Sequence, residues 1–186
     1  MPTVTIRPNS TVAVGNFSNS TGGAIFHNFI NDSNDATSTV NLSVNQEFTV
    51  DLDNVSLSGA TFNSFTVTVR AKSSGKGTAE WNSRLLDTVG ASTLSSTNLS
   101  TSSASFSDFT AGSGSFSAGF SETAVNGLQI RIATINNTQC VFAEVSVEID
   151  YTPGGYGQNV NTVAAANIGK VNTVAAADIG KVNSVD

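Results

Sequence analysis

The sequence predicts an all-β fold, an antiparallel β-sandwich of the jelly-roll kind followed by a short repetitive tail, and three observations support this. Apolar and polar residues alternate with a period of two in several segments, which is the pattern of a half-buried strand. Glycine, asparagine and serine punctuate those segments at the short intervals typical of sandwiches and barrels. No stretch before residue 150 sustains a helical period. Sheets with one apolar face must bury it against another layer, and two packed sheets do so most economically.

Taken in order, TVTIRP at 3–8, TVAVGNF at 11–17 and AIFHNFI at 24–30 are short strand candidates. EFTVDLDNV follows, with Phe48, Val50 and Leu52 opposing Thr49, Asp51 and Asp53. In SFTVTVRAK, Phe65, Val67 and Val69 oppose Thr66, Thr68 and Arg70. AEWNSRLLDTV supplies a further strand at 79–89. The Ser/Thr/Gly-rich stretch 92–121 carries Phe106, Phe109, Phe116 and Phe120, so it reads as short strands joined by long loops and anchored in the core by phenylalanine. GLQIRIATI turns Leu128, Ile130 and Ile132 inward. CVFAEVSVEIDYT is the most regular segment, with Val141, Ala143, Val145, Val147, Ile149 and Tyr151 on one face. The Asn136-Asn137-Thr138 turn between these two predicts that they form an antiparallel hairpin.

The domain is expected to span 1–152, with a glycine-rich linker at 153–158 and an eleven-residue repeat at 159–186. VNTVAAANIGK is followed by VNTVAAADIGK and VNSVD, repeating the apolar positions Val160, Val163 and Ile168 as Val171, Val174 and Ile179, then Val182 and Val185. On a helix this period gives a stripe that winds slowly to the right. Gly169 and Gly180 favour the alternative, a chain of short helical turns. Either way so short a segment must pack on something else, and these eight residues are the candidate assembly contacts.

Composition limits function. Only 12% of residues are charged and the formal net charge is −6, so a phosphate backbone is excluded as partner, because that binding is driven by Lys and Arg. No apolar run reaches the ~20 residues of a membrane-spanning helix. The start MPTVTIRPNS lacks a signal-peptide pattern, which predicts synthesis in the cytoplasm. Cys140 is the sole cysteine and reads as a core residue. His27, the sole histidine, sits among apolar residues and reads as structural. No nucleophile elbow, phosphate loop or zinc spacing is present, so the chain is expected not to be an enzyme.

Two candidate sites remain. NDSNDATS places Asp32, Asn34, Asp35 and Thr37 where their oxygens could surround calcium, with Asp51 or Asp53 joining from a neighbouring strand; Asp32 and Asp35 are the principal ligands of that reading, and a solvated turn is its alternative. No cofactor other than calcium at this loop is expected. Exposed Trp81 or Tyr156 would offer an aromatic face to a sugar ring, against a core role for Trp81.

The segments TVTIRPNS, NDSNDATSTV, GATFNSFTVTVRAKSSGKG, GLQIRIATI and VSVEIDYTP, with the NIGKVNTVAAADIGKVNSV tail, resemble the β-sandwich virion proteins of tailed bacteriophages, both capsid decoration (cement) proteins and tail-fibre modules. That resemblance implies a non-enzymatic structural protein of the virion, foremost a decoration protein that binds and stabilises the assembled shell. Its partners would be the major capsid protein or other virion subunits, and copies of itself, with a trimer favoured. The alternatives are a carbohydrate-binding tail-fibre module and a self-polymerising surface filament.

Overall fold

The alternating segments form strands whose apolar rows meet between two sheets. A computed structural model describes residues 1–15, 17–19, 26–32, 34–36, 38–41, 46–75, 77–154, 170–171 and 174–175. Eleven strands build the sandwich: β1 (Thr3–Ile6), β2 (Pro8–Val14), β3 (Phe17–Asn19), β4 (Thr39–Asn41), β5 (Glu47–Leu52), β6 (Thr61–Ser73), β7 (Ala79–Asp87), β8 (Ser92–Thr101), β9 (Ser107–Ser115), β10 (Leu128–Thr134) and β11 (Cys140–Thr152). One sheet has the order β3-β4-β11-β6-β9, with β1 also paired to β11, and the other has the order β2-β5-β10-β7-β8. From β5 onward every connection except β7–β8 crosses between the sheets, the alternation expected of a jelly roll.

Inward rows from both sheets fill the core. Val67, Val69, Val145, Val147 and Ile149 face Phe48, Val50, Leu85, Ile130 and Ile132, all buried. Trp81 is fully buried at 0% exposure, edge-on to Phe109 and Phe142 at centroid distances of 5.2 and 5.7 Å. At one end of the sandwich Phe116 packs on Phe65 and stacks on Phe120. That end gathers the connections 53–60, 88–91 and 116–127, the last holding the short helix α1 (Glu122–Val125), whose first turn is capped by Ser121 accepting from the Ala124 N–H.

Several sequence expectations change. Within the expected strand AIFHNFI, Phe26–Phe29 form a single 3-10 turn that inserts Phe26 against Phe48, and Ala24 and Ile25 lie outside the described residues. The serine-rich stretch holds two long strands, β8 and β9, of 10 and 9 residues, where short strands were expected. Phe106 is outside the core, beneath the Lys72 ammonium at 4.3 Å. β10 and β11 do not pair with each other. They lie in different sheets, because β10 finds β5 and β7 while β11 finds β6, β1 and β4. In β11 a register shift between Phe142 and Glu144 interrupts the alternation, so Cys140, Val141, Phe142 and Ala143 are all buried. In the tail, β12 (Lys170–Val171) pairs antiparallel with β13 (Val174–Ala175), so Val171 and Val174 are extended partners and not neighbours on a helix. Val160, Val163, Ile168, Ile179, Val182 and Val185 lie outside the described residues, as does the linker beyond Gly154.

Candidate binding site

Where β2, β5, β10 and β7 reach the connection-rich end, they leave an open cleft of about 610 Å³ lined by Asn9, Ser10, Asp51, Leu52, Asn54, Thr88, Asn126 and Gly127. Strand alternation turns Asp51 to the outer face, because Val50 and Leu52 are taken by the core. Register then lines it up with Ser10 on β2 and Gln129 on β10. Ser10 Oγ donates to Asp51 Oδ2 at 2.9 Å and Gln129 Nε2 donates to Oδ1, which fixes the carboxylate between two neighbours.

The rest of the cleft is equally well braced. Asn126 accepts from the Val55 N–H at 2.7 Å and donates to the Val55 carbonyl at 3.1 Å, holding the 53–60 connection against the helix. Glu122 accepts from the Leu57 N–H in the same connection. Thr88 Oγ donates to the Gly127 carbonyl at 2.6 Å. Gly127 leaves room for that approach, since a Cβ there would lie 2.9 Å from Val89 Cγ2 and 3.1 Å from Thr88 Oγ1 and those side chains would have to give way. Asn9 and Asn54 are exposed, and their amides hold no hydrogen bond among the described residues. Free amides and a braced carboxylate on an ordered rim can exchange hydrogen bonds with a polyhydroxylated ligand.

The sequence-derived candidates fall elsewhere. Asp35 accepts from Arg70 through both oxygens, at 2.7 and 2.9 Å, and Arg70 also donates to Asp108 at 3.0 Å. Those bonds hold the Asp35 carboxyl below its ordinary value and push Arg70 up. Asp32 accepts from the Asn34 N–H, an Asx-turn. Asp51 is in the other sheet and at the opposite end from Asp35, so the expectation that Asp51 or Asp53 joins this loop fails. Among the described residues no group of three or more His, Cys, Asp or Glu side chains is poised to share a metal.

Trp81, considered as a sugar platform, is buried and unavailable. Tyr156 and Thr37 lie outside the described residues. His27 Nδ1 lies 3.0 Å from Thr11 Oγ1, and the His27 backbone N–H donates to the same oxygen at 3.2 Å, which fits the structural role expected of it. Burial pushes the Cys140 thiol well above its ordinary range. The sequence reading missed Asn9, Asn54, Thr88 and Asn126: Asn54 and Thr88 read there as parts of the strand candidates EFTVDLDNV and AEWNSRLLDTV, and Asn9 and Asn126 were assigned no role. Nothing in their spacing brings them together. The sheet register does.

No family model matches the chain, and no curated protein matches it. Among solved structures, the C-terminal CBM6 of LamC, a marine laminarinase from Zobellia galactanivorans, matches at 14% identity and a TM-score of 0.47, over 80% of this chain and 98% of that one. The module CBM6cm-2 of Cellvibrio mixtus lichenase 5A, in complex with cellotriose, matches at 11% identity and a TM-score of 0.43, over 80% and 97%. The enzymatically active domain of bacteriophage CBA120 tailspike protein 4 matches at 15% identity and a TM-score of 0.40, over 78% of this chain and 19% of that one.

Proposed function

We propose that the sandwich is a non-catalytic carbohydrate-recognition module. The observation that carries this reading is the cleft, whose rim offers the free amides of Asn9 and Asn54, the Asp51 carboxylate and two hydroxyls, on a backbone fixed by Asn126 and Gly127. Such a set recognises hydroxyls by direct hydrogen bonds and has no group placed to break a glycosidic bond. Glycosidases use two facing carboxyl groups, and Asp51 is the only one among the described residues of this lining. The resemblance of the chain to phage β-sandwich modules supports a tail fibre as carrier. No described surface feature favours capsid decoration.

A glycan array followed by titration calorimetry tests the proposal. Asn54→Ala and Asn9→Ala should each weaken binding about threefold to tenfold, as expected for a hydrogen bond worth about 1 kcal/mol. If no glycan is retained, or if binding ignores both variants, the proposal fails.

A further inference from the structure

The charge lining the cleft is of one sign. Asp51 is its only ionisable side chain, and the exposed Asp53 follows two residues later. The basic side chains of Arg7, Arg70, Lys72, Arg84 and Arg131 all make their contacts outside this lining. Arg7 pairs with Glu144 on the opposite sheet, where Arg70 and Lys72 surround Phe106. On the cleft's own sheet Arg131 pairs with Glu47, and Arg84 donates to Asn82 at 2.8 Å. A ligand carboxylate or sulfate in the cleft would therefore meet a fixed anion with no cation among the described residues that line the site to offset it.

Asp51 cannot swing away to relieve that repulsion, since Ser10 and Gln129 each hold one of its oxygens. Each oxygen retains a second lone pair, so an uncharged ligand can donate a hydroxyl to it in a charge-assisted bond. The same carboxylate thus attracts a neutral sugar and repels an acidic one.

We infer that the cleft selects uncharged saccharides and rejects uronates and sulfated or sialylated sugars, with Asp51 as the residue that sets the selection. The inference rests on the carbohydrate-recognition reading above and adds the ligand class to it.

The experiment compares tetrasaccharide pairs that differ only at C6, glucan against glucuronan, mannan against mannuronan and galactan against galacturonan, each titrated into the full chain at low salt. The neutral member of the pair that binds should exceed its uronate in affinity by about tenfold, for like charges a few ångströms apart at a partly exposed site. Raising the salt to about 0.5 M should narrow that ratio. Asp51→Asn should bring it towards one, and the exposed Asn54→Asp should widen it. Equal or tighter binding of a uronate, or an unchanged ratio in a folded Asp51→Asn protein, overturns the inference and leaves the recognition module standing. Binding of no saccharide by the wild-type chain overturns both.

Discussion

Gly154 lies directly against Gly59, so close that a Cβ on Gly154 would stand 2.7 Å from both the carbonyl carbon and the carbonyl oxygen of Gly59. The contact seats the end of β11 on the turn that precedes β6. Gly59 itself has a φ of +74°, which favours glycine there. Gly154→Ala must push two stretches of backbone apart, and it should destabilise the domain by about 1–3 kcal/mol in urea denaturation, as overpacking does. An unchanged midpoint would mean that the two segments part freely.

Ser83 on β7 faces the core at 0% exposure, and its hydroxyl has no hydrogen-bond partner among the described residues. An unsatisfied buried hydroxyl costs about 1 kcal/mol or more, so Ser83→Ala should raise stability by about that amount. A fall in the melting temperature instead would show that an internal water satisfies the hydroxyl in solution.

Asp35 should contribute to the acid limb of stability. Its hydrogen bonds to Arg70 hold its pKa below the ordinary 3.8, so the folded chain keeps this carboxyl ionised to lower pH than the unfolded chain does. The resulting stabilisation is fully present above the unfolded value and is lost as pH falls through the folded one. The Asp35 side chain is 44% exposed, so solvent screening limits the effect to about 0.5 kcal/mol. The stability difference between wild type and Asp35→Asn should be constant from pH 5 to 7 and vanish on acidification, as denaturant titrations at each pH would show. A constant difference down to pH 2 would remove Arg70 as its source.

Cys140 should resist alkylation. The thiol is buried and burial disfavours the reactive thiolate. Iodoacetamide at pH 8 should label the chain only in denaturant, as intact mass would show. Rapid labelling of the native protein would mean that the start of β11 opens locally.

The strands with strict alternation were legible in the sequence because burial on one face imposes period two directly. Phe48–Val50–Leu52 and Phe65–Val67–Val69 point inward as the pattern requires. Partner choice was not legible: Leu128–Thr134 and Cys140–Thr152 are neighbours in sequence, yet they pair with strands distant in sequence and set their apolar rows in facing sheets. The length of serine-rich β8 escaped for a different reason, since its outward Ser96, Asn98 and Ser100 alternate with Ser95, Thr97 and Leu99, of which Leu99 alone is strongly apolar, and pairing with β7 extends it to ten residues. The cleft was hidden because Asn9, Asn54 and Asn126 converge through ladders and a side-chain clamp on Val55 that no local pattern encodes.

The Tyr151 N–H donates to the Pro2 carbonyl at 3.1 Å, and Thr3 sits opposite Asp150, so both ends of the sandwich emerge side by side, at the Gly59–Gly154 contact. The end of the sandwich at which the first and last strands meet is therefore also the end at which the cleft opens, and the Asp35–Arg70 pair occupies the other end. A ligand held by Asp51 thus lies on the same side of the domain as both termini of the sandwich, and a bulky group joined at either one would crowd the cleft before it reached the ion pair.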